Sequence, residues 1–280
     1  MFTSFDTTAS NTGRKNGACQ HLDKMFNKQL IGLPCRHHIH EILVGKAFKV
    51  LQFETAQSPN VEIFRRFQME WHNLEKSSYH SGMNDSFVKS NITENERVAL
   101  LDFFERQLNQ QHHREDYREV IQLTIIFLGG KIKGNVQLRA PGAFHNARWM
   151  AKIIYSLKMF LYRHVFLLPK TVVHRLARFN VFIVKLYLKN WFLSSCAAMS
   201  ANNDLNLLKL LKHYEPVDED VAKAVYKGFL THLQYLDRNL IALCLFDENL
   251  DLTDKRNVIR ALHTSGKGFV KISVCKLSVF

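Results

Sequence analysis

The stretch F-T-S-F-D-T-T-A-S-N-T-G, residues 2–13, decides how the fold is read. Phe2 to Asp6 alternates apolar and polar side chains, the period of a strand. The Thr/Ser/Asn/Gly run behind it is turn chemistry. Arg14 to Asn27 has helical period, Leu30 to Pro34 (L-I-G-L-P) is a second short strand, and a helix follows from Arg36 to about Leu51. The order predicts a βαβ unit. In open α/β sheets reactive side chains gather at the carboxyl ends of strands, and Asp6 stands there. A carboxylate in that place can hold a hard divalent cation, or it can cap its own loop.

Beyond a polar break at Gln52 to Asn60, the pattern to Leu262 is helical throughout. Thr93-Glu94-Asn95-Glu96 is a capping box. Gly129-Gly130 ends a helix from Glu115 to Leu128 with a left-handed exit. Further helices are expected over Phe144–Phe166 and Thr171–Ser195, from Asn203 or Asp204, from Asp218 to about Phe246, and over Asp254–His263 capped by Thr253. The last residues alternate again, with Val270, Ile272 and Val274 between polar neighbours, and read as a strand. The expected organisation is a βαβ segment over 1–50, a helical region over 51–230, and returning helices with a short strand over 231–280.

Charge is distributed unevenly. From Val120 to Asn203 there is no Asp or Glu, yet these 84 residues hold 12 of the chain's 38 basic residues, leaving 26 against all 25 acids. A net charge of +13 makes polyanions the default partner class. On a helical wheel of Phe144–Phe166, Arg148, Lys152 and Arg163 share a narrow arc beside Tyr155 and Tyr162. Ile153, Ile154, Leu157, Phe160 and Leu161 lie opposite. Arg175, Arg178, Lys185 and Lys189 form a second arc on the next helix. Basic side chains interleaved with aromatics suit phosphate contact with stacking. With Lys131, Lys133 and Arg139, these residues are the expected nucleic-acid-binding set, and the alternative is a solvated helix face.

Five scattered cysteines and no secretory leader point to a reducing nuclear or cytoplasmic interior rather than secretion. Val181 to Met199 is apolar, but Lys185, Lys189 and Asn190 interrupt it, so a buried helix is expected and no membrane contact. Cys35-Arg36-His37-His38 supplies half a zinc site, or else a packed thiol and helix-start histidines.

The motifs, in order, resemble the second half of the catalytic region of hAT-like cut-and-paste transposases. The matching residues are F-D-T-T-A-S-N-T-G (Phe5 to Gly13), C-R-H-H-I-H-E (Cys35 to Glu41) and P-G-A-F-H-N-A-R-W-M (Pro141 to Met150). N-D-L-N-L-L-K (Asn203 to Lys209) and H-L-Q-Y-L (His232 to Leu236) look similar too. The resemblance implies a ribonuclease-H-like fold with three acidic metal ligands. Asp6 would be the second acid, and Cys35, His38 and Trp149 structural landmarks of the family's helical insertion.

The first acid has no counterpart in the sequence. Where the third is expected, near Leu236 to Leu240, stand Asp237, Arg238 and Asn239. The expectation is therefore a mainly α chain: the remnant of a ribonuclease-H-like α/β core, of two or three short strands, joined to a large helical insertion. Its function would be a transposase-derived protein without catalysis, needing no cofactor, that binds nucleic acid without sequence choice, DNA before RNA. An active half-transposase using a metal such as Mg²⁺ and a helical protein-interaction module are the alternatives. The sequence leaves self-association open.

Overall fold

A computed structural model describes residues 2–6, 8–13, 15–28, 30–53, 62–111, 114–132, 138–142, 149–232 and 241–264. Among them the chain is mainly helical, with two short strands, β1 (Phe2–Phe5) and β2 (Ile31–Pro34). It divides into two compact units. One comprises Met1–Leu43, Leu193–Leu210 and Tyr226–Phe280, and the other Val44–Phe192 and Leu211–Val225. The strand expected over Phe269–Phe280 lies outside the described residues.

The first unit carries the sheet. β1 and β2 pair in parallel, with Phe2 opposite Ile31 and Phe5 opposite Pro34. Parallel neighbours need a crossover, supplied here by two short helices, α1 (Ala9–Thr12) and α2 (Ala18–Met25). The Cys35 backbone N–H donates to the Phe5 carbonyl at 2.7 Å, carrying the ladder to the start of α3 (Arg36–Val50). The βαβ reading of the opening segment holds.

The second unit is helical. Its helices are α4 (Glu62–Glu70), α5 (Ser86–Asn91), α6 (Glu94–Leu108), α7 (Glu115–Phe127), α8 (Trp149–Leu161), α9 (Lys170–Phe182) and α10 (Leu188–Phe192). The capping box opens α6: Thr93 Oγ1 accepts from Glu96 N–H at 3.3 Å while Glu96 Oε2 accepts from Thr93 N–H at 2.9 Å. Acids in the first turn of α7, Glu115 and Asp116, complement the positive end of its dipole. Gly129, at φ 77, ends it, with Gly130 N–H donating to Ile125 O and Gly129 N–H to Ile126 O. Between α9 and α10, Ile183–Tyr187 winds as one π-helical turn, so the chain stays helical from Lys170 to Phe192.

Two long helices follow, α11 (Ala197–Tyr214) and α12 (Glu219–His232), then α13 (Leu252–Thr264). α11 begins well before the expected Asn203 or Asp204. Asp204 sits inside the helix and is fully buried. α13 is capped by Asp251, whose Oδ1 accepts from Asp254 N–H at 2.8 Å, and not by Thr253.

The core of the helical unit is aromatic. Phe48 stacks on Phe53 at 4.7 Å and meets Phe64 and Phe179 edge-on or tilted at 5.4 and 5.6 Å. α8 packs on α7 and α9. Phe64 lies over Tyr155 at 5.0 Å, and Trp71 meets Tyr162 at 5.5 Å. From Ile153 to Leu161 every residue of α8 is buried. A helix buried on all sides belongs in an interior, and here Lys152, Ser156 and Lys158 go in with the apolar side chains. No described helix is long and apolar enough to cross a membrane.

Candidate functional sites

Asp6 occupies the carboxyl end of β1, and its carboxylate is committed to the loop that follows. Oδ1 accepts from Thr8 N–H at 3.0 Å, from the Thr8 hydroxyl, and from Asn11 Nδ2 at 2.7 Å. These bonds, those from Thr8 foremost, hold the carboxyl below its usual range although the residue is exposed. Asp6 thus forms an Asx-type cap with Thr8 and Asn11. Cys35 is a half-buried free thiol, and His38 Nδ1 stands 4.0 Å from Glu41 Oε2. Among the described residues no three His, Cys, Asp or Glu side chains are grouped as a metal site. Residues 233–240, which carry Asp237, Arg238 and Asn239, lie outside the described set.

The basic arc on α8 is corrected by burial. Lys152 is 4% exposed and Arg163 6%, and the aromatics beside them, Tyr155 and Tyr162, are buried at 2% and 0%. A wheel gives the angle between side chains but not which angle faces water. Because α8 is enclosed, Lys152 and Arg163 point into protein. Arg163 donates through Nη1 to the carbonyls of Phe160 (2.7 Å) and His80 (3.3 Å), and through Nη2 to that of Ser81 (3.0 Å). Tyr162 donates its hydroxyl hydrogen to Lys76 O at 2.8 Å, and Tyr155 donates to Gly142 O. Neither tyrosine ring is open to a base. Lys133 and Arg148, and the side chain of Trp149, are not among the described parts of the chain.

Four of the remaining bases meet acids that lie outside the acid-free stretch. Lys158, fully buried, pairs with Glu119 at 2.6 Å and donates to Arg139 O at 2.7 Å; burial lowers its pKa while Glu119 opposes the shift. Arg139 meets Glu115 at 2.6 Å. Arg178 forms a two-pronged pair with Asp218 at 2.7 and 2.8 Å and reaches Asp220 at 2.9 Å. These bonds, the Asp218 bond first, raise the guanidinium above its ordinary pKa. Lys185 pairs with Glu96 at 3.0 Å and donates to Asn91 O at 2.7 Å. Arg175 donates to the Gln52 side chain at 3.1 Å. Lys131, Lys170 and Lys189 are exposed, Lys189 lying 6.0 Å from the Phe103 ring. Four of the segment's 12 bases, Arg139, Lys158, Arg178 and Lys185, are thus answered by acids from outside it.

The most tightly built polar cluster was not expected. In the sheet-bearing unit, Arg36 and His40 stand one helical turn apart on α3 and both reach Asp204 of α11. Arg36 Nε and Nη2 donate to Asp204 Oδ2 and Oδ1 at 2.9 and 2.7 Å. His40 Nε2 lies 3.0 Å from Oδ1. Burial, helped by the nearby Arg36 charge, lowers the His40 pKa to about 4, so a neutral ring donates its Nε2–H. Burial raises Asp204, but Arg36 and His40 outweigh it and hold the carboxyl well below its usual range. With Asp204 and His40 both fully buried, the cluster fastens α11 to α3. Two signals in the sequence could have found it: the i, i+4 spacing of Arg36 and His40, and Asp204 as the acid that ends the acid-free stretch.

No protein-family model matches the chain, and no curated protein and no solved structure matches it.

Proposed function

We propose that the chain is a transposase-derived protein without catalytic activity that keeps a weak affinity for nucleic acid, DNA before RNA, without sequence choice. The observation that carries this reading is the parallel pairing of β1 with β2, with Asp6 at the carboxyl end of the first and the C-R-H-H-I-H-E helix directly after the second. That is the placement the hAT-like resemblance implies for the second acid and for the start of the insertion. Loss of catalysis is supported by the state of Asp6, whose Oδ1 caps its own loop. Two-metal cleavage needs several carboxylates converging on the ions, and Arg238 stands near the expected place of the third.

Nucleic-acid affinity then falls to the cations that remain open, Lys131, Lys170 and Lys189, with Arg139 and Arg175 at partial strength. About four phosphates neutralised give a fall of ~10²-fold in affinity between 50 and 200 mM salt. Fluorescence anisotropy with a labelled 20-base-pair duplex reads that slope, and supercoiled plasmid with Mg²⁺ or Mn²⁺ reads cleavage. The expected result is salt-dependent binding with no nicking. Nicking that vanishes in Asp6→Ala restores the active-transposase reading. Binding that is flat with salt favours the protein-interaction module.

A further inference from the structure

A cleft of about 590 Å³ opens in the helical unit, and its walls come from the Asn84–Phe87 turn, from Arg163 and His164, and from the first turn of α9. Its lining holds more basic than acidic side chains. Arg163, His164, Lys170 and His174 line it, against a single acid, Asp85. That acid has another task, since Asp85 Oδ1 caps α5 by accepting from Val88 N–H at 3.1 Å. The hydrogen bonds of Arg163 go to carbonyl oxygens, and Asp85 is the one lining acid whose charge acts on it and on His164. Lys170 is exposed and makes no ion pair among the described residues.

The start of α9 adds to this field. Val172 and Val173 donate their backbone N–H groups back to Pro169 O at 2.9 and 3.0 Å, and no side chain caps the helix. The N–H groups of Lys170 and Thr171 come before any intrahelical acceptor, and the positive end of the helix dipole lies at the cleft. The His164 ring stands against His80 at 4.6 Å, and Phe87, also in the lining, meets His174 edge-on at 5.1 Å. The space suits a ligand of nucleotide size.

From these features we infer that the cleft bounded by Arg163, His164, Lys170 and His174 binds a phosphate group. The lysine and the α9 N-terminus would meet the anion, and the imidazoles would donate hydrogen bonds beside the Phe87 wall. The phosphate could come from a free phosphorylated small molecule or from the backbone of a nucleic-acid strand, and the chemistry of the contact is the same. This inference stands on the cleft alone, without the transposase reading.

Imidazole proton NMR of the full chain tests it, with the His164 and His174 signals assigned from His164→Gln and His174→Gln. The probes are inorganic phosphate, adenosine monophosphate and a 20-residue oligothymidylate. The expected result is a saturable shift of both signals with at least one probe, weakened by about tenfold or more in Lys170→Glu. That substitution places an acid at a helix start, where it favours the helix, so the variant should melt as the parent does. A tighter oligothymidylate complex assigns the site to nucleic acid, and a tighter monophosphate complex assigns it to a small ligand; both support it. Absence of saturable shifts with all three probes, or binding unchanged in Lys170→Glu, overturns the inference. Duplex binding that fails while monophosphate binds would leave the cleft standing and remove the nucleic-acid reading.

Discussion

Among the described residues the buried lysines and arginine, Lys152, Lys158 and Arg163, all lie in the helical unit, whereas buried aspartates occur in both, Asp218 in the helical unit and Asp204 and Asp247 in the sheet-bearing one. Lys158 and Arg163 lie within or just beyond α8 and reach backbone carbonyls, with Glu119 paired to Lys158 and Asp85 near Arg163. Asp204 lies within α11 and depends on two side chains of α3, Arg36 and His40. The difference follows from side-chain reach. A lysine or arginine has a long apolar stem that packs in the core while its head searches for acceptors, and frayed helix ends and turns supply carbonyls freely. An aspartate has one methylene and must be met where it stands. Buried cations can therefore be accommodated at several places, but a buried anion depends on particular donors.

The largest effect should come from removing that anion. Asp204→Ala leaves His40 in the core with Arg36 half-buried beside it, and losing one partner of a buried ion pair costs about 3–5 kcal/mol. Because Arg36 can turn toward water, the lower end of that range is expected, read as a shift of the urea midpoint at constant slope. An unchanged midpoint would break the comparison, since Asp204 would then be no more than a tolerated passenger.

A smaller effect should follow from acid. The folded-state pKa of His40, about 4, lies below the ordinary 6.5, so the unfolded chain takes up this proton first. Stability should fall as pH drops from about 6.5, and this contribution should level off near 4. The depressed carboxyl of Asp204 acts in the same direction at still lower pH, its contribution being lost once the unfolded carboxylate range is entered. The His40 share is on the order of 1–3 kcal/mol. Urea titrations between pH 7 and 4 should show the loss, and His40→Gln should flatten it. A loss of the same size in the variant would place the sensitive group elsewhere.

What the sequence made legible was mostly local. β1 and β2, the Thr93 box and the Gly129 exit each follow from a few adjacent residues, and all are present. The placement of α8 was not local. Its wheel separates basic from apolar side chains, but enclosure on all sides depends on α7, α9 and the aromatic residues from Phe64 to Trp71. The acids that answer the basic stretch are equally remote, as with Asp218, 40 residues from Arg178. Asp204 was misread as a helix start because an Asp before an apolar run is a capping signal, while its real partners stand 164 and 168 residues away.

The central claim is that the basic stretch is built inward, and comparing Arg163→Glu with Lys189→Glu by thermal unfolding tests it most directly. Arg163 is 6% exposed and bound to three carbonyls, so a glutamate there would leave those acceptors unmet and bury an anion with no donor. Lys189 is exposed, and a surface change of this kind stays within about 0.5 kcal/mol. The prediction is that Arg163→Glu loses its cooperative transition or melts far lower, while Lys189→Glu melts with the parent. If both variants melt like the parent and Arg163→Glu alone gives up nucleic-acid binding, the arc faces outward and the account is wrong.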